Sequence, residues 1–326
     1  MGPALAVAAR RHGFTGAIPE PANRRLEVAY RRNRSRNVAL RSQLQEAIAA
    51  LNAGGIVPLL LKGSLYMLDG TFPDPGERVQ WDLDLVVAPA QRRQAIAALE
   101  RIGYQTQVAK PFLHPHETLL RRPGAIATVE LHESLGSPPL PELLPLEDVL
   151  ARSQDVPGAG GEAAGLAPAD AVVHHVVHAQ IQDLNYAVAG IPLRQLHTLS
   201  RLLAHRDDEI DWGDVRSRLK APRLNRSLVA YLHHAHRLLD APVPSAMADN
   251  PRASAHLTVS LVFWQLGWPA DVLRNLRFAF GTEYLESLYG NSRMGRGKWW
   301  RRLRHAVNLL RHSPSDLLGE LRQPRI

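Results

Sequence analysis

Seven residues, Trp81-Asp82-Leu83-Asp84-Leu85-Val86-Val87, constrain this chain more than any others. Polar and apolar residues alternate over 82–85, and a β-strand sends residues i and i+2 to the same face. Such a strand buries Leu83 and Leu85 and presents Asp82 and Asp84 together. Two adjacent carboxylates repel each other unless a cation lies between them. The pattern therefore has two readings, a solvated strand face or a platform for a divalent metal. The aliphatic flanks favour the platform, because carboxylates among buried aliphatic residues need a partner.

The surroundings extend the second reading. Mg²⁺ takes oxygen ligands and shares its sphere with substrate phosphates, so paired aspartates suit phosphoryl or nucleotidyl transfer. A third carboxylate is available in Thr128-Val129-Glu130-Leu131-His132, where Glu130 and His132 share a face. If that strand neighbours 81–87, Glu130 completes a triad with Asp82 and Asp84. Upstream, an apolar run (56–61) meets Lys62-Gly63-Ser64. Glycine after a strand lets backbone N–H groups approach a phosphate, and serine adds a hydroxyl donor. Lys62, one of four lysines among 39 basic residues, offers a point charge for a triphosphate. Gly-Ser turns are also common without any ligand, and the GxxxxGK[ST] spacing of a Walker A loop is missing. Arg78 precedes Asp82 by four residues, as a phosphate clamp or as a surface arginine.

Along the chain, apolar spacing predicts a helix over 37–53 that stops at Gly54-Gly55. A strand (56–61), a helical stretch, a loop (70–77), a strand (81–87), a helix (90–103) and a hairpin (116–122 and 125–133) follow. Residues 1–36 read as a loosely held helical arm, 37–137 as a small mixed-sheet α+β domain, and 138–165, rich in Pro, Gly and Ala, as a linker or loop. From 166 to 326 nearly everything reads as helix, over 168–182, 192–205, 211–219, 223–238, 252–266, 269–279 and 298–311. That second half is expected to bind the substrate that accepts the transferred group.

Composition excludes several classes. Cysteine is absent, which removes disulfides, thiolate nucleophiles and Cys-ligated zinc. No apolar run approaches the roughly 18 residues that suggest a membrane helix, and the first thirty residues lack signal-peptide order, so a cytoplasmic protein is expected. The net charge of +8 is nearly all arginine and alone does not identify nucleic acid as a partner, although a phosphate-bearing one is electrostatically favoured.

Taken together, Leu61-Lys62-Gly63, Arg78, Asp82-Leu83-Asp84-Leu85-Val86, Gly103-Tyr104 and Glu130-Leu131-His132 resemble the uncharacterised nucleotidyltransferase family of the polymerase-beta-type superfamily. The resemblance is specific over about 45–135 and continues weakly through Leu193-Arg194 and Asp211-Trp212. It implies a bacterial enzyme moving an NMP from an NTP, ATP first among donors, to a hydroxyl of a small molecule, peptide or protein. It implies Mg²⁺ or Mn²⁺ on Asp82, Asp84 and Glu130, and phosphate contacts from Lys62, Gly63, Ser64 and Arg78. His132, His178 and Arg194 are candidates for substrate contacts. Trp81 stands where the family often has a small residue, and crowds the metal site or shapes the pocket.

Other features carry other readings. His174 and His178, at i and i+4, have a spacing that can bind zinc, but no His-Asp dipeptide accompanies them. His233, His234 and His236 read as helix-surface residues. The basic, tryptophan-bearing stretch 293–312 suits anionic membrane, RNA or docking on the helical half. The alternatives to an enzyme are a basic RNA- or tRNA-binding protein and a non-catalytic module that senses NTP.

Overall fold

A 34-residue helix organises the N-terminal half. A computed structural model of the protein describes residues 1–107 and 117–266 and the single position 302. Helix α1 (Gly2–Arg11) packs on α2 (Glu20–Ala53), which opens with a proline in its first turn and closes where Gly54 and Gly55 release the last turn. The expected arm is thus a separate packed helix, α1, followed by a stretch from Glu20 that is continuous with the expected helix over 37–53. Its buried positions run Asn33, Asn37, Leu40, Gln43, Leu44, Ala47, Ile48 and Leu51. That is a stripe at helical spacing. Its three polar members act as clamps rather than as core.

After α2 come β1 (Leu59–Leu60), α3 (Lys62–Tyr66), β2 (Asp82–Val86), α4 (Arg92–Arg101), β3 (Gln105–Thr106), β4 (Glu117–Arg121) and β5 (Thr128–His132). The sheet order is β3-β4-β5-β2-β1-β7-β6. β2 lies parallel to β5, with Asp82 opposite Thr128 and Asp84 opposite Glu130, and antiparallel to β1. Leu83, Leu85, Val129 and Leu131 enter the core that α2 and α4 also line. The alternation fixes this register, because a slip of one residue would turn the carboxylates into the aliphatic core and the leucines out of it.

Two expectations change here. Lys62-Gly63-Ser64 is the first turn of α3, not a turn before it. Residues 138–165 are not a bare linker. They contain α5 (Leu140–Leu143), α6 (Leu146–Arg152), β6 (Gln154–Asp155) and β7 (Ala164–Gly165), and β7 pairs in parallel with β1. The Gly158 and Gly160 turn that reads as linker is held by α2, through Gln45 Nε2 on the Gly158 carbonyl and Asn52 on the backbone of Glu162.

The helical half follows as expected: α7 (Pro168–Val177), a π-turn (His178–Gln182), α8 (Leu193–Arg206), α9 (Trp212–Arg218), α10 (Pro222–Leu239), α11 (Ser245–Ala248) and α12 (Pro251–Leu266). Together with the mixed sheet this is an α+β architecture. Buried ion pairs tie the halves. Glu77, 2% exposed, receives Arg11 of α1 at 3.2 Å and His197 and Arg201 of α8 at 3.1 and 3.6 Å. Asp170 of α7 holds Arg152 and Arg218. His233 and His234 are buried, not on the surface. His233 Nδ1 pairs with the Ala248 carbonyl at 2.7 Å and His234 meets His256 of α12 at 3.2 Å, because α12 covers that face of α10. Helices expected over 269–279 and 298–311, and the basic stretch 293–312, lie outside the described residues, position 302 apart. No helix among the described residues is long and apolar enough to cross a membrane.

Gln43 shows how the polar stripe of α2 works. Its Nε2 donates to Tyr104 Oη and the Ala127 carbonyl, both at 2.8 Å, and its Oε1 accepts from the Ile126 and Ala127 N–H groups, both at 3.1 Å. Gln43→Leu keeps the volume but leaves these buried backbone groups unpaired, which should cost about 2–4 kcal/mol. Urea unfolding should show the midpoint falling with an unchanged m-value.

Candidate active site

β2, β5 and the start of α3 bring the singled-out residues to one face. Leu83 and Leu85 of β2 and Val129 and Leu131 of β5 anchor the strands, so the even positions Asp82, Asp84, Glu130 and His132 project together. Asp84 is 1% exposed and stands at the centre. Its Oδ1 takes Lys62 Nζ at 2.8 Å and His132 Nε2 at 3.2 Å, and His132 Nε2 lies 3.9 Å from Glu130 Oε2. Ligand atoms of Asp84, Glu130 and His132 fall within 4.8 Å of one another.

This grouping differs in one member from the expected carboxylate triad. Asp82 shares the face but stands at the strand's start, where Gln80 Nε2 donates to its carbonyl and, at 3.2 Å, to its Oδ1. His132, expected as a substrate contact, takes its place in the cluster. Gln80 was not singled out from the sequence, although its position two residues before Asp82 puts it on the same face. Its Oε1 also accepts from Arg78 Nη1, so one amide orients both the guanidinium and the first aspartate.

The electrostatics follow from burial and pairing. Burial alone would raise the Asp84 carboxyl, but Lys62 and His132 hold it well below the usual range. Burial disfavours the Lys62 ammonium, yet Asp84, Glu130 and Asp82 together raise it above its ordinary value. Asp82 is different. Burial and then the charge of Asp84 push it up, against the pull of Lys62 and Arg78. A divalent cation beside it would offset both effects. Arg78 is lowered to about 10 by burial and by Arg194, so two expected anion contacts meet in one field.

Several buried polar atoms here have no partner: Asp84 Oδ2, Ser64 Oγ, Arg78 Nε, Arg36 Nη1 and Asn37 Oδ1. Buried polar groups are almost always paired in native proteins, and a concentration of exceptions marks a place built for a ligand. Asp84 Oδ2 in particular fits a metal. A donor set of two carboxylates and an imidazole accepts Mg²⁺ and suits Mn²⁺ better. Ser64, fully buried, reaches a phosphate only after a neighbour moves. A Cβ at Gly63 would run into Gln80 Oε1 and Arg78 Nη1, so a larger residue there would displace both side chains.

The helical half closes the other side. His174 and His178 stack at 6.0 Å, and His178 Nδ1 lies 3.5 Å from Asp183 Oδ2. The π-turn makes that pair, since its i+5 bond, Asp183 N–H to the His178 carbonyl at 3.0 Å, sets the two residues one above the other. An ordinary α-helix would hold Asp183 away from His178. His174 is buried and lowered by that burial, by His178 and by Lys62. Its Nε2 is spent on the Leu135 carbonyl at 3.0 Å, so the i, i+4 pair gains no zinc reading. Trp81 does not crowd the carboxylates. It turns outward, 52% exposed, under the guanidinium of Arg36.

Two outcomes follow from the central pair. Lys62→Met leaves Asp84 buried with His132 alone and should cost about 2–4 kcal/mol. Added Mn²⁺ should restore part of the thermal midpoint if the cation takes the vacated role. Because the Asp84 pKa is lower folded than unfolded, its stabilisation is fully present above the unfolded value near 4 and declines as pH falls below it. The stability gap between wild type and Asp84→Asn should therefore narrow below about pH 4 in acid-titrated urea unfolding.

Comparison with known proteins places this geometry. The model of a family described as uncharacterised nucleotidyltransferase matches residues 1–240. No curated protein matches. Among solved structures, the solution structure of the antibiotic-resistance factor ANT(2'')-Ia is 13% identical, covering 62% of this chain and 98% of its own, with a TM-score of 0.39. That likeness is too slight to argue from. The family match spans both the carboxylate strands and α7 to α10, and the chain belongs to the uncharacterised nucleotidyltransferase family.

Proposed function

We propose that this protein transfers a nucleoside monophosphate from an NTP, ATP being the first donor to try, to a hydroxyl of a small molecule, peptide or protein. The observation that carries it is the buried Asp84, bridged to Lys62 and grouped with Glu130 and His132, in the midst of unpartnered polar atoms.

Residue roles follow from position. Lys62, Arg78 and Arg194 supply the positive field for a triphosphate. The Gly63 N–H at the start of α3 donates to a phosphate oxygen, and the absent Cβ of Gly63 keeps the approach open. Asp84 and Glu130, with His132 beside them and Asp82 at the start of the strand, would hold a divalent cation, Mg²⁺ or Mn²⁺. When bound, that cation neutralises phosphate charge and fixes the α-phosphate for in-line attack. The acceptor hydroxyl loses its proton to Glu130, and its oxygen bonds to the α-phosphorus. The α–β bridging bond breaks, and pyrophosphate leaves with the electron pair. His178, beside Asp183, faces the acceptor side and helps to hold it.

Asp82→Asn separates chemistry from folding. Its carboxylate is penalised by burial and by Asp84, so the amide should fold at least as stably as wild type without cation. Pyrophosphate release in Mg²⁺ or Mn²⁺ should still fall by a factor of about 10²–10³, the scale lost when a charge-stabilising group is removed. Retained release would sink the assignment. NTP binding without release in the wild type would favour the sensing module.

A further inference from the structure

Trp81 has no part in the chemistry proposed above, yet it stands directly before Asp82 with its indole 52% exposed. Helix α2 sends Arg36 over the ring, guanidinium carbon 4.8 Å from the centroid. The same guanidinium feels the charge of Asp82, and its Nη1 is buried without a partner. One residue on, Asn37 Nδ2 holds the Arg78 carbonyl at 2.6 Å, and Asn37 borders a cleft of about 60 Å³ with Tyr66, Arg78 and Gln80. Arg36 thus links the indole to the charge of Asp82, and its neighbour Asn37 links α2 to the segment that bears Arg78.

An exposed indole ordinarily keeps its rotamer freedom. A cation–π contact restrains it, so a ligand that stacks on it loses less entropy on binding. Aromatic faces beside arginine bind bases with little regard to identity, because every base has a π-face.

We propose that the outward face of Trp81 is the stacking platform for the nucleobase of the NTP, with Arg36 holding the ring from behind. Granted nucleotidyl transfer from an NTP, on which this inference rests, the site has two parts. The triphosphate is held by Lys62 and Arg78, and the base is held by stacking. Discrimination among the four bases is then modest and follows stacking strength, purines before pyrimidines.

Calorimetric titration of the full-length protein in Mg²⁺ tests this, using ATP, GTP, CTP and UTP and, as a probe without a base, inorganic triphosphate. Wild type should bind the NTPs more tightly than triphosphate. Trp81→Ala should weaken NTP binding by between about five- and 150-fold, the range of one base stack, and leave triphosphate affinity unchanged. Trp81→Phe should keep most of the NTP affinity, which a merely structural fault would not allow. Equal NTP affinity in Trp81→Ala and wild type would overturn the platform. So would a parallel loss of triphosphate binding, or a wild type that binds NTP no more tightly than triphosphate. A wild type that binds neither ligand overturns the platform and the nucleotidyl-transfer reading together.

Discussion

The contact between Lys62 and Asp84 is the interaction on which the rest of the site depends. Asp84 is almost wholly buried, and a buried carboxylate without a cation is among the costliest groups a fold can hold. Lys62 meets that need from the first turn of α3, with its backbone in the left-handed region at φ +48°. A non-glycine residue there stores strain, which persists only where surrounding contacts over-determine it. Gly63 follows, and any side chain there would displace the Arg78–Gln80 pair. One charge pair thus fixes the direction of α3, the approach to its N-terminus and the orientation of the central carboxylate.

Around this pair the protein uses polar clamps rather than bulk. Asn33 and Asn37 of α2 both donate to the Arg78 carbonyl, and Glu77 gathers cations from α1 and α8. The loop that bears Arg78 is therefore gripped from both halves of the molecule. Arg194 lies on α8, one turn before His197. A shift of α8 would move Arg194 and loosen Glu77 together, so the field on Arg78 and the grip on its loop are mechanically coupled.

The even-odd alternation of β2 was legible because a strand's period is two and both leucines had to be buried. The same period put Glu130 and His132 on one face of β5, but that β5 lies beside β2, with Glu130 opposite Asp84, came from the sheet pairing. Membership of the metal-competent group was less legible. Asp82 and Asp84 look equivalent in sequence, but Asp82 sits at the strand's start, where Gln80 occupies it, while Asp84 lies deep enough to meet His132. The His178–Asp183 pair was illegible, because nothing in His-Ala-Gln-Ile-Gln announces a π-turn. The burial of His233 and His234 was missed for want of the position of α12. The residues that read as a linker failed as one for a similar reason. Their glycines do make turns, but β7 found backbone partners on β1, and β6 on β7.

The sequence by itself determined the α+β class, the strand that carries the aspartates, the hairpin that carries Glu130 and His132, and the helical second half. Each rests on local periodicity or on residues with narrow backbone preferences. Tertiary structure alone decided which carboxylate is central, that Lys62 neutralises it, that Trp81 faces outward beneath Arg36, and that the helical half contributes a His–Asp pair. Those depend on which elements lie side by side, and electrostatic and stacking contacts between distant segments leave no period in the chain.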